Sequence, residues 1–190
     1  MKNILWRHGR SQDKQYKGRE CFVPQSYRDR ECDRLTGTVN GKYFKKMVDA
    51  ILGEEDAQGC LLILDVDWMQ EINDRFGHDT GDRVLKMVAV MLRESFRSCD
   101  GIGRLEEDEF ALWIAGLSAE NVGGIRRRIA YLNDRLMHME EDLPVVTLSA
   151  GVAVGETGED FMGVYRRAKE VLSRVKESGR CGCEIYEKHR

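Results

Sequence analysis

Four apolar residues in a row, Leu61-Leu62-Ile63-Leu64, run straight into a carboxylate, Asp65. A continuous apolar run of this length suits a central strand buried on both faces, and such a strand needs other elements packed over each side of its sheet. The periodicity on either side of the run supplies them. Residues 39–52 place Phe44, Met47, Val48 and Ile51 on one helical stripe, and residues 80–96 repeat Val84, Met87, Val88, Met91 and Leu92 at the same spacing. Residues 119–139 and 160–177 form two further helices, with Gly179 placed as a C-terminal stop. Residues 104–114 fold as two strands around a charged turn, residues 145–154 give another strand, and residues 184–186 give the last. The class is α/β (α+β) with five strands.

The rest of the composition narrows the function. With 190 residues, 42% hydrophobic and 33% charged, the chain is long enough for one full core and too short for two ordinary ones. Residues 1–32 form a polar segment broken by Gly18 and Pro24, without sustained apolar periodicity, and residues 33–190 form the domain. Residues 1–34 hold nine Lys or Arg against five Asp or Glu, a net +4 that leaves −7 for the remainder of a chain totalling −3. A net acidic domain lacks the footprint of a nucleic-acid binder. No apolar run reaches the roughly 20 residues of a membrane helix, and the first ten residues lack a signal-peptide core. The six cysteines (21, 32, 60, 99, 181, 183) show no CxxC spacing, which argues against zinc and for reduced thiols in a cytoplasmic protein.

Several separated motifs follow one another through the domain. They are Asp33-Arg34-Leu35-Thr36-Gly37 with Asn40 and Phe44, the apolar strand with Asp65 and Asp67, and Ile72-Asn73-Asp74-Arg75-Phe76-Gly77-His78 running to Gly81-Asp82. Arg97-Ser98-Cys99-Asp100 then stands five residues ahead of Glu106-Glu107-Asp108-Glu109-Phe110. Leu148-Ser149-Ala150-Gly151-Val152-Ala153, Ala168-Lys169 and Lys176-Glu177-Ser178-Gly179-Arg180 complete the set. In this order, over residues 33–180, the motifs resemble those of the GGDEF (diguanylate cyclase) domain family. The resemblance implies a mixed central five-stranded sheet flanked by helices, related to polymerase palm domains. It also implies a cytoplasmic signalling protein that joins two GTP into cyclic di-GMP and works as a homodimer, under an upstream sensor domain that is not in this sequence.

The chemistry can be placed on single residues. A carboxylate ending an apolar strand is costly unless it holds a cation or meets a donor, and Asp65 is in that position. With Asp108 and Glu109 at the neighbouring turn, three oxygen ligands can converge on Mg2+. The resemblance assigns Asp65, Val66, Asp108 and Glu109 to metal, with Mg2+ or Mn2+ as cofactor, and makes Glu109 and Asp108 the catalytic pair. The resemblance makes Asn73, with a donor and an acceptor, and Asp82, with an acceptor, readers of the Watson-Crick edge of guanine, with His78 as a further substrate contact or as support for the turn between them. Lys176 and Arg180 are cations suited to the triphosphate. Arg97 and Asp100 match the family's RxxD site for cyclic di-GMP, with Arg128 as the third contact.

Departures from the family pattern gather around the phosphates. Gln70 stands where the family carries Lys, and Glu106-Glu107 replace two glycines. Glycines at tight hairpins supply positive φ or close backbone approach, so the exchange predicts strained glutamates that crowd and repel a triphosphate. Two main readings stay open. One is a catalytically impaired module that binds cyclic di-GMP or GTP. The other is a weak diguanylate cyclase. Behind both stands a scaffold that dimerises without ligand.

Overall fold

The computed structural model describes residues 30–55, 57–118, 121–139 and 143–187. The polar N-terminal segment, apart from residues 30–32, lies outside them, as do Cys21 and the first two residues of the helix expected from 119.

Strand β2 (Gly59–Val66) is buried along its whole length and sits inside a six-stranded mixed sheet of order β1-β3-β4-β2-β5-β6. Its partners β4 (Glu109–Ala115) and β5 (Leu148–Val154) both run antiparallel to it. Outside them lie β3 (Gly101–Arg104), antiparallel to β4, and β6 (Cys183–Ile185), parallel to β5. The sheet has one strand more than the expected five: β1 is only Val39–Asn40, pairing in parallel with Gly103 and Arg104. Two residues carry no alternation to read. Asn40 also ends that strand by capping α1 (Gly41–Leu52), its Oδ1 accepting from the Tyr43 N–H at 3.0 Å, so the helix begins two residues later than expected.

Period-2 alternation divides β2 between two cores. Cys60, Leu62, Leu64 and Val66 face a core filled from α3 (His78–Ser95), α4 (Gly124–Met137) and the start of α2 (Met69–Phe76). Leu61 and Ile63 face the other, shared with α1 and α5 (Phe161–Glu177) and built around the buried Trp113. The same alternation puts Asp65 on the α5 side. α5 ends in a Schellman motif, with Arg180 N–H donating to the Val175 carbonyl at 2.9 Å and Gly179 N–H to that of Lys176 at 3.4 Å, and Gly179 takes φ +108°.

β5 starts at Leu148 rather than near 145, where Val145 is exposed. Buried Asn133 on α4 closes both backbone groups of Leu148, donating to its carbonyl at 3.0 Å and accepting from its N–H at 2.8 Å. Asn133→Ala strands both groups in a dry interface, at ~1–3 kcal/mol each before relaxation. A loss of about 3 kcal/mol in urea unfolding is expected, and a loss below ~1 kcal/mol would show that water replaces the amide.

Candidate functional site

Asp65 and Glu109 are direct cross-strand partners on β2 and β4, and both are almost wholly buried. One stripe of α5 covers them, because Tyr165, Lys169 and Lys176 are four and seven residues apart and share a helix face. Lys169 Nζ donates to Glu109 Oε2 at 2.5 Å, and Tyr165 Oη donates to Glu109 Oε1 at 3.0 Å, so both oxygens of Glu109 are engaged. Lys176 Nζ donates to Asp65 Oδ2. The other oxygen, Asp65 Oδ1, is buried without a hydrogen-bond partner.

These surroundings explain the electrostatics. Burial pushes the Glu109 carboxyl above its ordinary range, opposed by the Lys169 hydrogen bond and charge. Asp108 is raised as well, first by burial and then by the charge of Asp65. Burial alone would lower Lys169, but the hydrogen bond it donates to Glu109 and the fields of Asp65, Glu109 and Glu106 hold its ammonium above the usual range. Burial and the neighbouring Glu109 together keep the Tyr165 phenol protonated.

Of the expected metal ligands, Asp65 and Glu109 are thus brought face to face, and Asp108 lies within electrostatic reach of Asp65. Val66 joins the ladder at this end, its N–H donating to the Asp108 carbonyl at 3.1 Å. Among the described residues no three His, Cys, Asp or Glu side chains close into a ready-made cage, and ammonium groups cover Glu109 and one oxygen of Asp65. The donor set still suits a hard cation, since it is all oxygen and Asp65 Oδ1 is a buried acceptor without a partner.

Asp67, two residues on, is 2% exposed and serves three segments. It accepts from Thr147 Oγ1 and Ser149 Oγ, each at 2.7 Å, and from the Cys181 N–H at 3.2 Å. Trp68 then turns the chain into α2 with φ +60°, and the guanidinium of Arg180 stacks over its indole at 3.8 Å from the ring centroid. Arg180 (φ +66°), Cys181 (φ +51°) and Trp68 are the positive-φ residues other than glycine among those described, and all three gather here. Left-handed backbone at bulky residues costs ~1–3 kcal/mol each and collects at ligand-handling sites.

Asn73 stands on α2 with its Oδ1 buried and without a hydrogen-bond partner. Gly81 of α3 leaves it room, since a Cβ there would lie 2.0 Å from that oxygen. Asp82 and His78 are exposed on the first turns of α3. The helix pair therefore holds a buried acceptor without a hydrogen-bond partner and an exposed carboxylate, both close in sequence to the Asp65 end of the sheet. Lys176 and Arg180, expected at a triphosphate, rest on Asp65 and on Trp68.

The hairpin between β3 and β4 corrects one expectation. Glu106 and Glu107 are exposed, and neither adopts positive φ, so the turn is not strained by carrying them. Arg104 holds it, donating to the Glu107 carbonyl from Nη2 at 2.6 Å and to Asp33 Oδ1 from Nη1 at 3.1 Å. What the glutamates bring is bulk and two negative charges.

At the far end of α3, Asp100 is 5% exposed, accepts from the Arg97 N–H at 3.0 Å and feels the charges of both Arg97 and Arg128. Burial is the larger influence and raises its carboxyl. Arg128 lies over the Phe96 ring at 5.1 Å. The structure thus gathers all three expected residues, with Asp100 beneath the turn rather than open to solvent.

Lys169, Tyr165 and Asp67 were not expected as site residues. The four- and seven-residue spacing on α5 was the available signal for the first two, whereas nothing local marks Asp67 as the meeting point of three segments.

A sequence profile described as "Diguanylate cyclase, GGDEF domain" matches residues 30–181. Diguanylate cyclase DgcP of Pseudomonas aeruginosa is 32% identical over 157 residues, covering 80% of this chain and 23% of its own length. Diguanylate cyclase DgcS of Shewanella oneidensis is 30% identical over 78% of this chain and 50% of its own. The chain therefore spans half or less of these relatives. Among solved structures, the GGDEF domain of DgcB from Caulobacter crescentus in complex with c-di-GMP superposes with a TM-score of 0.76 at 28% identity, over 86% of this chain and 99% of that one. Diguanylate cyclase SiaD of Pseudomonas aeruginosa in complex with its activator SiaC gives 0.74 at 29% identity, over 81% and 61%. No helix among the described residues is long and apolar enough to cross a membrane.

Proposed function

Because the chain belongs to the GGDEF family of diguanylate cyclase domains, we propose that it is a nucleotide-binding signalling module whose cyclase turnover is impaired. It binds cyclic di-GMP at the Arg97–Arg128 turn, or GTP at the Asn73–Asp82 helix pair. The observation that carries this reading is the pairing of an exposed Glu106-Glu107 tip beside the buried carboxylates with a gathered arginine turn at the other end of α3.

The residues divide the work. Arg97 and Arg128 present guanidinium groups to phosphate or to a guanine edge, and Asp100 holds the turn that aims Arg97. Asn73 Oδ1 and Asp82 accept from guanine N–H groups, with His78 beside them, and adenine is rejected because it leaves those acceptors unpaired. Arg180, and Lys176 once released from Asp65, neutralise phosphate charge. Mg2+ or Mn2+, held by Asp65, Val66, Asp108 and Glu109, would neutralise the triphosphate and acidify the attacking hydroxyl when bound. Asp108 and Glu109 are the catalytic carboxylates of this reading, and Glu109 serves only once Lys169 and Tyr165 release it. The module pairs with a second copy and answers to a sensor domain, in keeping with relatives longer than this chain.

A weak cyclase is the second reading, favoured by the buried Asp65 Oδ1, an acceptor without a partner. Calorimetry with each nucleotide tests the proposal. Cyclic di-GMP binding is expected to weaken roughly 10- to 100-fold in Arg97→Ala, the loss of one charge-assisted contact of ~1.5–3 kcal/mol. Absence of heat with both nucleotides, or pyrophosphate release by the wild type at the rate of an ordinary enzyme, would overturn it.

A further inference from the structure

Lys169 is a cation seated on Glu109, one of the two facing carboxylates read above as metal-capable. Its ammonium lies 2.5 Å from Glu109 Oε2, and the Tyr165 hydroxyl takes the second oxygen of that carboxylate. Glu109 is buried beneath it, whereas about a third of the Lys169 side chain is exposed. Three carboxylates act on the ammonium, those of Glu109, Asp65 and Glu106. Beside it Lys176 covers one oxygen of Asp65 and leaves Oδ1 buried without a hydrogen-bond partner. Both oxygens of Glu109 thus already carry a donor, whereas one oxygen of Asp65 carries none.

We infer that Lys169 sets the metal affinity of this site, acting as a monovalent internal counter-ion that a divalent cation must displace from Glu109 before it can bridge Glu109 and Asp65. The inference rests on the reading of Asp65 and Glu109 as metal-capable carboxylates. Displacement is sterically cheap, because about a third of the flexible lysine side chain is exposed and the charge of Glu106, on the exposed turn, acts on it. Its cost is electrostatic: breaking a charge-assisted bond to a buried carboxylate opposes metal entry, and that opposition disappears when the ammonium is removed. Tyr165 adds to the lock by holding the carboxylate in the orientation that serves Lys169.

The test is titration with Mn2+ alone, free Mn2+ being read by electron paramagnetic resonance. Lys169→Met keeps the aliphatic stem and removes the charge, and is expected to tighten Mn2+ binding by about tenfold or more. Lys169→Arg keeps the charge and should stay near wild type, which separates the lock from a packing effect. Adding Asp65→Asn to Lys169→Met should abolish the gain. Equal affinities for wild type and Lys169→Met, both lost with Asp65→Asn, would overturn the lock while leaving the metal-capable reading standing. Mn2+ binding that never depends on Asp65 in any variant would overturn both.

Discussion

Gly151→Ala is expected to destabilise the domain by about 3 kcal/mol, lowering its melting temperature by roughly 6–12 °C. One added methyl group has this effect because of what it meets. A Cβ on Gly151 would stand 2.1 Å from the Ala168 carbonyl oxygen and 2.7 Å from the Leu172 nitrogen, both backbone atoms of α5. A side chain in the way can change rotamer, but a helix backbone can only retreat. Retreat lifts Phe161, Val164, Ala168, Val171, Leu172 and Val175 out of their packing together. Against a total stability of ~5–15 kcal/mol this is a large fraction, and it reaches the site because Lys169 and Lys176 ride on the same helix. Calorimetric melting checks it; a shift within about 2 °C would mean that α5 is not seated as tightly as the contact requires.

Replacing Glu106 and Glu107 together by glycine should raise GTP affinity more than a hundredfold and lower stability slightly. Two like charges at ~4 Å repel by ~4 kcal/mol at an effective dielectric of 20, so a residual ~3 kcal/mol after salt and relaxation corresponds to that factor. The stability change has the opposite sign because neither glutamate occupies positive φ. Glycine therefore relieves no strain and only enlarges the unfolded ensemble, by ~0.4–1 kcal/mol per position. Calorimetric titration of GTP and thermal melting separate the two effects. GTP affinity unchanged within threefold would remove the electrostatic account, and a more stable variant would mean that the native turn is strained after all. If pyrophosphate release appears only in this variant, the turn alone silences the site.

The central strand was readable because an unbroken apolar run has few folded solutions, and Leu61–Leu64 indeed lies inside the fully buried Gly59–Val66. Helix α4 starts at Gly124 rather than near 119, because Gly123 and Gly124 interrupt a stretch whose apolar spacing continues across them. The strain expected at Glu106 failed for a conformational reason. Four residues link Arg104 to Glu109, and loops of that length are commonly built on type I geometry, whose residues keep negative φ. The carboxylates of the site were legible because each is expensive where it stands. Lys169 was not, and Lys176 was read as a phosphate contact rather than as a partner of Asp65, since surface-type residues at helical spacing look the same whether they meet solvent or a buried acid.

Asp67 gives the site a kinematic constraint. One carboxylate is tied to the end of β2, to Thr147 and Ser149 at the start of β5, and to the backbone of Cys181 beyond α5. The strand bearing Asp65 and the loop bearing Arg180 are therefore hinged on a common pin. Neither can shift alone without costing the buried Asp67 at least one of its three donors, which couples the two sides of the site.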